Sequence, residues 1–163
     1  MKEAELTELI TSHPDRGDLP VALVKAICMK ESSFREWAHK PEDHYRWLVG
    51  DKLTMGATER SGQKMSWGLM QVMGANARES GFTGTFLSEL CDPYVGLKYG
   101  MLYLRRLHKK YGDWHDVISS YNAGSVRRRE TDKKYENQEV YVDIVLKYWR
   151  EYNQGAELKE SEV

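Results

Sequence analysis

Apolar residues recur at helical spacing along most of the chain. An N-terminal helix is predicted through "EAELTELITSH", followed by a turn carrying Pro14, Gly17 and Asp18. In the next helix Leu23, Ile27 and Glu31 fall at i, i+4 and i+8 on one stripe, with Asp18 as its expected N-cap and Pro20 in its first turn. From Arg35 to Ser66 neither the helical nor the strand period is present, so this long segment reads as irregular, with room for a small hairpin. Helical signal returns in "LMQVMGANARES" and ends near Gly81. The clearest helix is "DPYVGLKYGMLYLRRLHKKYG", capped by Asp92 and closed by Gly112, with Tyr94, Leu97, Met101 and Leu104 on its apolar face. "WHDVISSYNAG" is a shorter helix that stops at Gly124, and "EVYVDIVLKYWREY" aligns Tyr141, Val145, Tyr148 and Tyr152. The polar tail 153–163 is expected to fray. No internal repeat is present. The pattern predicts one mostly α-helical domain.

The bulk numbers sharpen this picture without redirecting it. The chain has 163 residues, enough for one domain with a sizeable core, and a formal net charge of -1. The molecule as a whole is therefore no magnet for nucleic acid or an anionic membrane. Two cysteines, Cys28 and Cys91, are too few for a disulfide framework and read as free thiols packed like small hydrophobes, although sequence leaves one bridge open. The N-terminal stretch has no continuous apolar core of the kind an export signal carries, and no stretch is apolar enough to span a bilayer.

Glu31 is the residue that does not fit a plain structural reading. It continues an apolar stripe, so ionising it costs desolvation energy, and it sits in the last turn of its helix, where the macrodipole is negative. Both effects raise its pKa, as a general acid near neutral pH requires. From this helix alone, pairing with a lysine or arginine, or a wet rim, is the simpler reading. In "SWGLMQVMG", Gly68 suggests a close backbone approach ahead of a helix, and Gln71 can donate and accept hydrogen bonds to an amide or a sugar. Met70, Val72 and Met73 read as core. In "SYNAGS", Gly124 reads as an ordinary C-cap.

The order of these pieces changes their weight. "ESSF", then "GLMQ", then "YNAG", then the tyrosine of "EVYVDIV" resembles the soluble lytic transglycosylase catalytic domain, which shares the lysozyme-like fold with goose-type lysozymes. The resemblance runs from about Pro20 to Trp149, and "TERSGQKMSWGLMQVMG" is most similar to phage and prophage members. It implies an α+β lysozyme-like fold, with Glu31 as sole catalytic acid and Ser32 and Phe34 completing its motif. It implies that Gly68, Leu69, Met70 and Gln71 line the glycan groove. Tyr121, Asn122, Ala123 and Gly124 would face the sugar beside the scissile bond, and Tyr141 would approach the acid with its hydroxyl. One departure stands out: many relatives carry a glutamate four residues before that tyrosine, where this chain has Asn137.

What the resemblance implies chemically is cleavage of the β-1,4 bond between N-acetylmuramic acid and N-acetylglucosamine in peptidoglycan. Glycosidases ordinarily need two carboxylates; here the muramic acid C6 hydroxyl would attack its own C1, closing a 1,6-anhydro ring. No metal or organic cofactor is implied, and a monomer acting on glycan strands is expected. The alternative enzyme is a muramidase-type hydrolase that positions water with a second carboxylate, Glu59 first and Asp51 second, although both read first as solvated loop charges. An alternative of another class is a peptidoglycan-binding module without catalysis. Trp37, Tyr45, Trp47 and Trp67 suit either a sugar-stacking wall or a small loop core. His39 and His44 lack flanking ligands at metal-site spacing. The run "VRRRETDKK" reads first as a solvated loop, with wall-polymer contact second and nucleic acid a poor third. The missing export signal fits a protein made in the cytoplasm and delivered to the wall by other means, as a phage lysis or virion-associated protein would be.

Overall fold

The computed structural model describes residues 1–160; the last part of the expected frayed tail, 161–163, lies outside the described residues. Seven α-helices are present among the described residues: α1 (Glu3–Ser12), α2 (Val21–Ser32), α3 (Ala57–Gln63), α4 (Gly74–Glu79), α5 (Pro93–Tyr111), α6 (Trp114–Ala123) and α7 (Asp143–Glu160). Three short strands, β1 (His39–Pro41), β2 (Met65–Trp67) and β3 (Val72–Met73), form one antiparallel sheet in the order β1-β2-β3. The registers pair Lys40 with Ser66 and Ser66 with Met73. The expectation of a mostly helical α+β domain with a small hairpin region therefore holds.

Helix α2 is the axis of the molecule rather than an amphipathic surface helix. Leu23, Val24, Ala26, Ile27 and Cys28 are all fully buried, as befits a helix that is apolar around most of its circumference. It packs along α7 on one side and α1 on the other, where Leu6 and Ile10 are also fully buried. Even Lys25 is nearly covered. Its ammonium pairs with Glu3 at 2.8 Å and lies 4.3 Å from the centre of the Tyr152 ring. Asp18 does not cap this helix. Pro20 holds the cap position, in extended conformation, and its carbonyl accepts from the amides of both Leu23 and Val24. A ring-locked φ sets the entry angle there, so no side-chain acceptor is needed.

Helix α5 meets expectation at both ends. Asp92 accepts from the Val95 amide at 3.0 Å and Gly112 closes the helix. Leu97, Met101 and Leu104 are fully buried, whereas Tyr94 is 47% exposed and stacks on His13 instead of joining the core. Gly100 leaves room for Met70, whose sulfur lies 2.4 Å from where a Cβ would be. Both cysteines are buried and free.

The largest departure concerns residues 69–73, expected as the start of a helix. They form instead the turn and second strand of a hairpin, and α4 begins only at Gly74. Strands this short leave no period to read, and the apolar run imitated a helix face. The irregular segment also contains α3, which the sequence pattern did not announce; its seven residues, ATERSGQ, carry little apolar signal. At the other end, a π-helical turn (Gln138–Val142) leads directly into α7.

Candidate active site

Helix α2 ends one residue beyond Glu31, and the chain reverses at once. Ser33 and Phe34 both take positive φ, 52° and 61°, although neither is glycine. Such conformations persist only where surrounding structure imposes them, and they gather at functional sites. Here the Ser33 amide closes on Met29 at 3.0 Å, Arg35 holds the Ser32 carbonyl, and the buried Phe34 ring sits 6.4 Å from that of Tyr152. The reversal leaves Glu31 half-buried at the rim of the core rather than extended into water.

Tyr141 reaches Glu31 from the π turn, its hydroxyl donating to Oε1 at 2.5 Å across 110 positions of sequence. A π turn adds one residue to the helical circuit and swings the following side chains, and such turns recur at functional sites. In this one the Asn137 carbonyl accepts from both Tyr141, at 3.0 Å, and Val142, at 3.2 Å. Burial pushes the Glu31 pKa from 4.5 up to about 7, against the lowering effects of the Tyr141 hydroxyl and of Lys30 and Lys40, while Glu42 opposes the two lysines. Tyr141 is itself held well above its ordinary pKa by burial and by Glu31, so it stays a donor. No lysine or arginine forms an ion pair with Glu31 among the described residues, which removes the ion-pair reading of that carboxylate.

The hairpin turn supports the site from below. Gly68 has φ 71°, and a Cβ there would lie 2.3 Å from the Leu90 carbonyl oxygen, so the close backbone approach is real and its partner is Leu90. Ser32 is 1% exposed. Its hydroxyl lies 2.8 Å from the Leu69 carbonyl and 3.0 Å from that of Cys28, tying the end of α2 to the turn. The Met70 side chain is fully buried, and its carbonyl accepts from the Tyr121 hydroxyl at 2.9 Å. Gln71, at φ 48°, uses its amide inside the hairpin: Nε2 donates to Ala38 and Gly68 carbonyls at 2.9 Å each, and Oε1 accepts from Ser66 at 2.9 Å. Thus Ser32, Met70 and Gln71 act in this structure as braces whose polar groups are already engaged.

Helix α6 brings the remaining residues. Asp113 caps its start and Gly124, in left-handed conformation, ends it. Tyr121 points into the core, while Asn122 is exposed and Ala123 half-buried. Asn122 accepts from Asn137 at 3.1 Å, and Asn137 is in turn linked to Tyr141 through the π turn. Sequence reasoning noticed Asn137 as a departure but did not count it as a site residue. Its placement four positions before Tyr141, one turn upstream, was the available signal. Lys30 and Lys40 were likewise missed as charges acting on Glu31, and only Lys30, its neighbour in sequence, was open to inspection.

The two further carboxylates lie elsewhere in the hydrogen-bond network. Glu59 makes a forked pair with Arg78, 2.8 Å at both oxygens, and also accepts from Gln63, which keeps its pKa low. Asp51 accepts from the Leu53 amide and the Thr54 hydroxyl at an exposed turn. Among the loop aromatics, Trp37 and Trp47 are each 74% exposed, while Trp67 donates to the Gly62 carbonyl and is partly buried. His39 and His44 are exposed, and no cluster of three metal-ligating side chains occurs among the described residues. The basic run folds into a closed turn, with Arg128 on Asp116 and Arg129 on Glu139 and Asp132. No helix among the described residues is long and apolar enough to cross a membrane.

Protein IpgF from Shigella sonnei is 26% identical over 139 residues, which is 83% of this chain and 76% of that protein. The X-ray structure of an inactive mutant of the lytic transglycosylase Slt from Pseudomonas aeruginosa superposes with a TM-score of 0.60 at 24% identity. It matches 91% of this chain, which spans only 24% of the length of that larger protein. That likeness establishes the shared fold. The family model described as "Transglycosylase SLT domain" matches residues 8–144, most of the chain. That match over most of its length makes the chain a member of the transglycosylase SLT domain family, an SLT-type, lysozyme-like lytic transglycosylase by classification.

Proposed function

We propose that this protein cleaves the β-1,4 bond between N-acetylmuramic acid and N-acetylglucosamine in peptidoglycan, with Glu31 as its single general acid and base. The observation that carries this reading is the Glu31–Tyr141 pair. Desolvation lifts the carboxyl to about 7, so near neutral pH it is divided between its acid and base forms. Protonated, it gives its proton to the glycosidic oxygen as the bond to C1 breaks. The resulting carboxylate, steadied by the Tyr141 hydroxyl at 2.5 Å, then takes the proton of the muramic acid C6 hydroxyl as that oxygen closes on C1. The proton account balances with no water consumed, and attack from within the same sugar lowers the entropic barrier. No metal or cofactor enters either step. The protein acts as a monomer on glycan strands, with the cell wall as its place of action.

A hydrolase would need a second carboxylate to manage water. Glu59 is committed to Arg78 and Asp51 to its own turn, which favours the anhydro route over the hydrolytic one. The deciding experiment is mass spectrometry of purified peptidoglycan after digestion. Muramic ends lighter than reducing ends by one water support the proposal; reducing ends overturn it in favour of hydrolysis. Wall turbidity loss by wild type but not by Glu31→Gln excludes a module that binds without cutting, whereas binding without turbidity loss in both would establish one.

A further inference from the structure

We propose that Asn137 is a positioning residue that fixes which end of the Asn122 side-chain amide meets the bound glycan, making Asn122 a donor there. The inference rests on the catalytic reading above and goes beyond it. Ser119, on α6, is fully buried. One end of the Asn137 amide lies 3.0 Å from the Ser119 backbone carbonyl, and a carbonyl can only accept, so that end is the NH2 group. The other end is therefore the oxygen, and it receives the Ser119 hydroxyl at 2.8 Å. The orientation of Asn137 is thus set by chemistry rather than by shape.

Its second N–H points at Asn122, 3.1 Å away, so the atom of Asn122 turned toward it must be the acceptor Oδ1. What Asn122 has left is its own NH2, which makes no hydrogen bond among the described residues and belongs to an exposed side chain. The same Asn137 supplies the carbonyl that receives the Tyr141 amide in the turn carrying Tyr141 to Glu31. Asn122 therefore presents two N–H donors at the exposed end of α6, linked through Asn137 to the turn that carries Tyr141 to Glu31, and suited to an acceptor oxygen on the sugar, such as the carbonyl of an acetamido group. A carboxylate at position 137 could not donate. It would attract the Asn122 NH2 to itself and turn the Asn122 oxygen outward, reversing what the glycan meets.

The test is a set of near-isosteric variants assayed for release of soluble fragments from purified peptidoglycan, with thermal unfolding recorded for each. Asn122→Asp reverses the outward polarity at an exposed position, so kcat/KM should fall about tenfold, the loss of one hydrogen bond with an acceptor in its place, while Tm stays near wild type. Asn137→Asp should show a similar fall, and Asn122→Ala combined with Asn137→Asp should be no worse than Asn122→Ala alone, because Asn137 acts through Asn122. Wild-type kcat/KM in Asn122→Asp, or losses that multiply in the double variant, would overturn the proposal. The Asn122→Asp arm decides the matter even where Asn137→Asp fails to fold. Glu31→Gln is run alongside: full activity in that variant would overturn the catalytic reading and this inference together, whereas Glu31-dependent activity with a multiplying double variant overturns this inference alone.

Discussion

Replacing Tyr141 with phenylalanine removes one hydroxyl and tests the pair on which the mechanism depends. That hydroxyl donates to Glu31 at 2.5 Å and so favours the charged carboxylate, holding the pKa below where burial alone would leave it. A hydrogen bond to an ionised group contributes roughly 1.5–3 kcal/mol, and one pKa unit corresponds to about 1.4 kcal/mol. Part of the loss would be recovered by water entering the vacated space, so the shift should be about one unit upward, from about 7. At pH 7 the wild-type carboxyl is about half protonated, and the variant's about nine-tenths. Because the glycosidic oxygen needs the protonated form, activity is lost as pH rises through the Glu31 pKa, and the alkaline limb of kcat/KM should move up by about one unit. The rate itself should fall about 10- to 100-fold, since the carboxylate that forms as the proton leaves has lost its donor. Fragment release from purified walls between pH 5 and 9, with a carbon NMR titration of Glu31, measures both. An alkaline limb that stays in place or moves down, at undiminished rate, would refute the reasoning.

Glu31→Gln should stabilise the protein at high pH. The folded pKa, about 7, lies above the ordinary 4.5, so the stability conferred by the protonated acid is complete below 4.5 and lost as pH rises through 7. Discounted for its wet edge, that amounts to about 2–3 kcal/mol in favour of the variant at pH 8 and little at pH 4, readable by urea unfolding at the two values. Gly68→Ala should cost about 2–4 kcal/mol, from the left-handed backbone and the collision with Leu90, and a midpoint unchanged in urea would contradict the turn geometry. Ser32→Ala should cost about 1–3 kcal/mol by leaving a buried carbonyl without its donor, again read by urea unfolding. Glu59→Gln should retain Glu31-dependent cleavage with the same product mass while weakening the Arg78 fork by about 1 kcal/mol; loss of activity in a folded variant would restore the hydrolytic alternative.

Elements whose signal is local and repeated were legible from the chain. Helix α5 showed its cap, its stripe of Leu97, Met101 and Leu104, and its closing glycine, because helix ends and faces are decided within a few residues. The apolar stripe ending in Glu31, and the order of the motifs around Gly68, Tyr121 and Tyr141, were legible for the same reason. The turn from Gly68 to Gln71 was misread, since strands of two or three residues have no period and their hydrogen-bond partners lie outside any local window. The N-terminus of α2 was misplaced because a capping aspartate and a proline both start helices, and which one does so depends on how the preceding turn packs.

By itself, then, the sequence determined that one carboxylate would interrupt an apolar helix face within a mostly helical domain. It could not determine the state of that carboxylate. Desolvation depends on what surrounds Glu31, and the hydroxyl that grips it comes from 110 residues away. Tertiary structure alone decided that Ser32 faces inward, that Glu59 is spoken for by Arg78, and that Asn137 orients Asn122. Propensity and periodicity act between near neighbours, whereas burial and hydrogen-bond polarity are set by groups that meet only when the chain has folded.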